Sequence, residues 1–251
     1  MDADDRGAAV VIGSAGAIGG AILRGLVAAR PELVPWMTYR SETGAVGELA
    51  DEIPGLHQVR CDLTKPAELN DLVAKVERSA GPVRVLVHAA VDVKAGPILE
   101  LGHKGVSDVV MSSGLSLLTL VEAFDRLLQP GSAILYITSI GSHRVLQGYS
   151  AVGAAKAVGD ALMRYLAAEL ATRGVRVNSI SAGPFVSKAA AAVVGDTGAL
   201  MAASDAATPR GRAIDFEELA NAAVFLTSPL AGGITGQVVT VDAGIFSGWR
   251  L

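Results

Sequence analysis

The first stretch of this 251-residue chain that could do chemistry is defined by the side chains it lacks: Gly13-Ser14-Ala15-Gly16-Ala17-Ile18-Gly19-Gly20. An apolar run precedes it and a helical pattern follows. Backbone N–H groups can close on a pyrophosphate only where side chains are minimal, and a helix N-terminus favours the negative charge. An ordinary tight turn has the same composition. The position between first strand and first helix is what favours a dinucleotide site. Gly13, Ser14, Ala15, Ile18 and Gly19 are its expected contacts. A full Gly-x3-Gly-x-Gly spacing would place glycine at 17, where the chain has Ala17.

After the next apolar run comes Thr38-Tyr39-Arg40-Ser41. An acid normally sits here to accept the adenosine ribose hydroxyls. Arg40 cannot accept them, and its guanidinium beside the Ser41 hydroxyl suits a 2′-phosphate. The expected cofactor is therefore NADPH, with NADH second. The alternative is a solvated arginine on a loop.

The segment Thr138-Ser139-Ile140-Gly141 through Tyr149-Ser150-Ala151-Val152-Gly153-Ala154-Ala155-Lys156, with Arg176-Val177-Asn178 through Ala182-Gly183-Pro184, resembles the short-chain dehydrogenase/reductase family. The likeness runs the length of the chain, to Thr235-Gly236-Gln237 through Asp242-Ala243-Gly244. Most members place a tyrosine four residues before the lysine, where this chain has Val152. Tyr149 instead stands seven before Lys156, a Tyr-x6-Lys spacing similar to that of the NADPH-using bacterial enoyl-acyl-carrier-protein reductases. Arg164-Tyr165-Leu166-Ala167 and Ser181-Ala182-Gly183-Pro184-Phe185-Val186-Ser187-Lys188 also look like that branch.

On a helix, residues seven apart share a face to within about 20° but lie roughly 10 Å apart along the axis, against about 6 Å for a spacing of four. Tyr149 is thus displaced from the usual site, or sits in the loop before the helix. A ketoreductase must protonate oxygen on the carbon that takes the hydride. An enoyl reductase delivers hydride to the β-carbon while charge builds further off, on the thioester oxygen, and a displaced hydroxyl suits that geometry. The resemblance implies that Tyr149 hydrogen-bonds this oxygen and that Lys156 holds the nicotinamide ribose. Ser139, seventeen residues before Lys156, holds the family's serine position. It either assists the oxyanion or satisfies backbone groups at a strand end.

Other roles come by family position. Asp62 and Leu63 would border the adenine, Ala89 and Ala90 would line the cofactor site, and Gly183, Pro184, Val186 and Ser187 would face the carboxamide; core packing is an equal reading for Val186. Two departures stand out. His88-Ala89-Ala90 occupies the place of Asn-Asn-Ala, and Gly114 that of an asparagine on the central helix, so the usual proton relay is altered. His103 and His143 are read as surface residues, Tyr165 as structural, and Trp36 and Trp249 as packing or subunit-contact residues. The resemblance also implies a homotetramer joined through two long helices, with Ala154, Ala155, Ala161 and Ala167 permitting close approach. The resemblance further implies an acyl thioester of coenzyme A or acyl carrier protein as the substrate. Two competing readings are a reductase of another conjugated alkene or ketone in a specialised pathway, and a dinucleotide-binding sensor or scaffold without turnover.

These residues must be held by a regular frame, and the hydropathy pattern supplies one. Strands are expected at Ala8–Ile12, Pro35–Tyr39, His57–Cys61, Val83–His88, Ala133–Thr138, Val175–Ile180 and Val238–Val241. Helices are expected at Ala17–Ala29, Ala45–Glu52, Pro66–Ser79, Val106–Leu128, Ser150–Thr172 and Asp215–Thr227. Continuous apolar strands separated by helices mean a seven-stranded parallel sheet covered on both faces, a doubly wound Rossmann fold in a single α/β domain. Ser187–Arg212, rich in Ala and Gly, reads as an irregular substrate lid.

Composition narrows the function. A net charge of −4 with no long charged run gives no electrostatic footprint for nucleic acid. Cys61 is the only cysteine, and the histidines lack metal-ligand spacing, so no metal site is expected. The acidic start is unlike a signal peptide, and no stretch reads as apolar enough to span a bilayer. A soluble cytoplasmic protein is the expectation.

Overall fold

The computed structural model describes residues 6–41 and 43–246. Trp249 and the acidic start therefore lie outside the described residues. Strands β1 (Gly7–Ile12), β2 (Leu33–Tyr39), β3 (His57–Arg60), β4 (Val83–His88), β5 (Leu128–Ser139), β6 (Arg176–Ala182) and β7 (Val238–Val241) form one sheet. Their order is β3-β2-β1-β4-β5-β6-β7, and every pairing is parallel. The chain reverses its winding between β1 and β4, which opens a crevice at the carboxyl ends of those strands.

Period-two alternation sends each strand's side chains to two cores. Ala8, Val10 and Ile12 of β1 join one with Leu69, Leu72 and Val76 of α3 (Pro66–Ala80), Leu117, Leu120 and Phe124 of α5 (Ser116–Phe124), and Met163 and Leu170 of α6 (Ser150–Leu170). Ala9 and Val11 face the other, with Ile22 and Leu26 of α1 (Ala17–Ala29), Leu49 of α2 (Gly44–Glu52), and Leu219 and Leu226 of α9 (Phe216–Thr227). Each fully buried aliphatic side chain stabilises the fold by roughly 1.5–3 kcal/mol. The helix at the third strand's end starts on Pro66, which presets its first turn. The last helix starts on a reciprocal cap: Asp215 Oδ1 accepts from Glu218 N at 2.8 Å, and Asp215 N donates to Glu218 Oε2 at 3.0 Å.

Three expectations change. The central helix begins at Ile98, eight residues before the expected Val106. It comprises α4 (Ile98–Val110), a π-helical turn at Met111–Leu115, and α5. Gly102, at φ 60° and ψ −177°, interrupts the helical dihedrals near its start and hides that start from the apolar pattern. The joined run Ile98–Leu127 is also, by length and composition, apolar enough to cross a bilayer, contrary to the sequence reading; its Leu117, Leu120, Val121 and Phe124 pack on the sheet. Finally, the lid is helical: α7 (Lys188–Val194) starts on Ser187, whose side chain accepts from Ala190 N, and α8 (Thr197–Ala207) starts on Asp196, whose side chain accepts from Ala199 N. Alanine favours helix without an apolar face to signal it.

Candidate active site

The crevice holds a cavity of about 800 Å³, within the range of roughly 300–1,000 Å³ usual for small-molecule sites. Its floor is the expected glycine loop. Gly13 sits at φ +79°, and a Cβ there would lie 2.8 Å from the Ala90 backbone. A Cβ on Gly19 would lie 2.5 Å from the Gly13 oxygen, so the helix enters close behind the turn. Ala17 replaces a glycine without strain because its side chain is exposed. Ser14 is fully buried: its hydroxyl donates to Val11 O at 2.9 Å and accepts from Thr38 N at 3.1 Å. Thr38, which the sequence reading passed over, accepts from Gly13 N at 3.1 Å through its hydroxyl. Both hydroxyls thus tie the loop to β2. These residues can offer an anion backbone donors in a cradle that added Cβ atoms would fill, which fits a dinucleotide pyrophosphate.

Arg40, Ser41, Asp62, Leu63, Ala89 and Ala90 all line this cavity, and so do Asp92, Ser112 and Lys188, which the sequence reading did not single out. Arg40 is not the free guanidinium expected. Its Nη2 lies 3.6 Å from Asp92 Oδ1. Its field also helps hold Asp62 below the usual carboxylate range, where hydrogen bonds from Thr64 overcome the opposing effect of burial. A 2′-phosphate would meet two carboxylates as well as one cation.

Ser139, Tyr149 and Lys156 stand where β5 meets the start of α6, and none of the three lines this cavity. Tyr149 caps α6 with φ −105° and ψ 11°, so it belongs to the loop end rather than the helix body. Its ring lies against Gly141, where a Cβ would be 2.6 Å from the ring carbon Cδ1. The nearby Ser139 hydroxyl pulls the pKa of its phenol down, while burial, the larger effect, raises it above the ordinary phenol value. Ser139 accepts from Gly141 N at 3.2 Å, so it satisfies a strand-end backbone group. Val152 is fully buried, packed with Val109, Ala151 and Ala155.

Lys156 is buried, and its Nζ donates to Ile137 O at 2.7 Å. Burial pulls its pKa down to about 8, with Asp160 opposing. The departures at 88 and 114 have steric and polar grounds. A Cβ on Gly114 would lie 2.4 Å from Ala155 O, so the π-turn and α6 pack too closely for asparagine. His88 is fully buried, with Nε2 2.8 Å from Ser116 Oγ. Ser116 Oγ donates its proton to Ser112 O, so Nε2–H is the donor to Ser116. Burial first, and then Lys156, hold the imidazole neutral by lowering its pKa to about 3.

Gly183 backs onto Asp242, with its N–H donating to Val241 O at 2.9 Å. Ser187 lines the cavity, while Pro184 is only half-buried. Val186 is 55% exposed, which removes the core-packing reading; Phe185 is the buried one, stacked on Phe216. His103 and His143 are exposed. Trp36 is buried, stacked on His57 with ring centroids 4.1 Å apart. Tyr165 is 71% exposed, and Ala155 and Ala167 are buried within the chain, so neither alanine forms an outer helix face. Among the described residues, no cluster of three or more His, Cys, Asp or Glu could hold a metal ion.

Comparison with known proteins completes the picture. The profile of the enoyl-(acyl carrier protein) reductase family matches residues 13–246. The NADH enoyl-[acyl-carrier-protein] reductase 1 of Rhizobium meliloti is 33% identical over 203 residues, 79% of this chain and 74% of the relative. The NADH enzyme of Enterococcus faecalis is 34% identical over 214 residues, 83% and 84% of the two chains. The crystal structure of the Bacillus cereus enoyl-acyl carrier protein reductase with NADP+ and an indole naphthyridinone has a TM-score of 0.88 and 30% identity, and covers 100% of both chains. The curated relatives are NADH enzymes, which overturns the NADPH expectation. In this chain the Arg40 guanidinium faces the Asp92 carboxylate at 3.6 Å, so it is not the free cation on which that expectation rested. The frame, the match across nearly the whole chain and the relatives together make this chain a member of the enoyl-(acyl carrier protein) reductase family.

Proposed function

We propose that the chain reduces the carbon–carbon double bond of an α,β-unsaturated thioester on acyl carrier protein, with NADH as the cofactor. One observation carries this reading. The position four residues before Lys156 is a fully buried valine, and the available phenol is displaced to the helix cap beside Ser139. A proton donor at that place serves an oxygen remote from the carbon that accepts hydride.

Ser14, Ala15, Ile18 and Gly19 hold the pyrophosphate by backbone donors, and Gly13, whose N–H is taken by Thr38, leaves room for it. Arg40 and Ser41 flank the adenosine ribose, Asp62 and Leu63 the adenine, and Ala89 and Ala90 the opposite wall. Gly183, Pro184, Val186 and Ser187 meet the carboxamide, and Lys156 meets the nicotinamide ribose. When bound, the nicotinamide supplies a hydride. Tyr149 donates a hydrogen bond to the thioester oxygen as negative charge gathers there. Ser139 holds the phenol in place, and Lys156 lends a positive field that favours the charged oxygen. Exposed Val145, Leu99 and Val186 offer an acyl chain apolar surface.

Loss of NADH absorbance with crotonyl-thioester of acyl carrier protein, faster than with acetoacetyl-thioester or free enones, is the expected result. Faster acetoacetyl reduction would replace the reading with a ketoreductase, and tight NADH binding without turnover on any of them would replace it with a sensor. NADH is expected to outperform NADPH in kcat/KM. We further propose a cytoplasmic homotetramer joined through the outer faces of α6 and of the run α4, π-turn and α5, where Tyr165 and Met111 are exposed. A monomer by light scattering would refute that assembly.

A further inference from the structure

The surroundings of Lys156 include a side chain that neither the sequence motif nor the proposed reaction uses. Tyr136 on β5 is fully buried, and the Lys156 ammonium lies over its ring, 4.7 Å from the centroid. The Tyr136 hydroxyl donates to Ser113 O at 2.8 Å, inside the π-helical turn, where the regular helix ladder is broken. Its ring meets the edge of His88 at a centroid distance of 5.3 Å. Across from it, α6 offers only Gly159, where a Cβ would lie 2.3 Å from the ring carbon Cζ. Tyrosine at 136 therefore demands glycine at 159, three residues past the lysine on the same helix.

The groups around the ammonium are few. From β5 come the Tyr136 ring and the Ile137 carbonyl. From α6 come Tyr149 at its cap and Asp160, whose Oδ2 accepts from Thr138 at 3.0 Å. From β4 comes His88, neutral and turned toward Ser116. The π-turn and α5 add only hydroxyls and carbonyls, those of Ser112, Ser113 and Ser116. A buried ammonium over an aromatic face is held more firmly than an exposed one, because little water competes for it.

We propose that Tyr136 is a positioning residue for Lys156: its ring seats the ammonium, and its hydroxyl ties that seat to the π-helical turn. The role of Lys156 in turnover rests on the enoyl reductase reading, whereas the seat itself does not. Tyr136 binds no reacting atom, so its effect reaches the chemistry only through the charge and place of the lysine.

Two readouts test it: NMR titration of isotope-labelled lysine side chains, with Lys156 identified by its loss in Lys156→Arg, and the pH profile of enoyl thioester reduction. Tyr136→Phe keeps the ring, and Lys156 should titrate within about 0.3 pH units of wild type. Tyr136→Leu removes the face, and Lys156 should titrate about one pH unit lower. The alkaline limb of kcat should move with it, and KM for the thioester should change less than kcat. If that variant does not fold, Tyr136→Leu/Gly159→Ala returns a methyl to the vacated space and carries the same expectation. Unchanged Lys156 titration in the leucine variants overturns the seat, as does an equal shift in Phe and Leu. Should wild type reduce no enoyl thioester, the reaction reading fails, and the NMR titration still decides the seat.

Discussion

The wall of the cleft formed by Gly13–Gly20 is made almost entirely of backbone, whereas a second wall, outside the lining of that cavity, is made of the side chains of Ser139, Tyr149 and Lys156 where β5 meets the start of α6. On the first wall the side chains that matter are missing or turned inward, as Ser14 and Thr38 show. On the second, side chains have particular neighbours: Ser139 accepts from Gly141 N, and Lys156 donates to Ile137 O and lies over the Tyr136 ring. A backbone wall should break when an atom is added. A side-chain wall should break when one is removed.

The largest effect expected is therefore a deletion on the second wall. Tyr149→Phe takes away one oxygen and leaves the ring against Gly141. Loss of a single preformed donor to a developing oxyanion costs about 10²–10³-fold in kcat. Calorimetric NADH affinity should stay within about twofold, because uniform binding is untouched. Equal losses in turnover and in cofactor affinity would show that the two walls are not separable.

Next come additions. Gly114→Ala places a methyl 2.4 Å from a backbone oxygen of α6, and overpacking of this kind destabilises by about 1–3 kcal/mol. Gly13→Ala combines a clash at the Ala90 backbone with φ +79°, and should weaken NADH binding about tenfold or more while Tyr149 stays in place. Thermal unfolding and NADH titration separate the two. A Gly13→Ala variant that binds NADH like wild type would remove the first wall from the cofactor site.

How much of this contrast is readable from sequence follows from the same difference. Glycine spacing and strand periodicity are local, so β1, α1, β4 and β7 lie where the hydropathy pattern puts them, and the loop lines the cleft. Side-chain partnerships are not local. Asp92 stands far along the chain from Arg40, and nothing in Thr38-Tyr39-Arg40-Ser41 reveals that the guanidinium is taken. Tyr136 reads as one more apolar strand residue until Ser113, Gly159 and Lys156 are seen around it. The lid helices escaped because alanine-rich segments without an apolar stripe show no period.

The lysine adds a pH test. Its pKa is lowered from 10.5 to about 8, so kcat should fall as pH rises through about 8 and the ammonium is lost. Stability should move the other way. Between about 8 and 10.5 the unfolded lysine keeps a proton that the folded one has released, so this group's contribution to unfolding free energy rises with pH. Below 8 both states are protonated, and the folded state carries the full burial penalty. Activity and stability limbs of opposite sign would identify Lys156 as the titrating group; limbs that fall together would assign the loss of activity to unfolding instead.

The smallest effect concerns a charged side chain of the first wall. Arg40 lines the same cavity as the glycine loop, yet its use depends on a partner, Asp92, at 3.6 Å and half-exposed. If this pairing is what withholds the guanidinium from a 2′-phosphate, Asp92→Asn should raise kcat/KM with NADPH by about threefold and leave NADH nearly unchanged. Exposed ion pairs are worth only up to about 1 kcal/mol, so no full reversal of preference is expected. Salt should erase the gain, since an arginine–phosphate contact at the surface is screened over about 8–10 Å at moderate ionic strength. A gain that persists at high salt would point to altered loop shape rather than freed charge. No gain at low salt would mean that Asp62 alone repels the phosphate, and Asp62→Asn would then be the change that raises NADPH use.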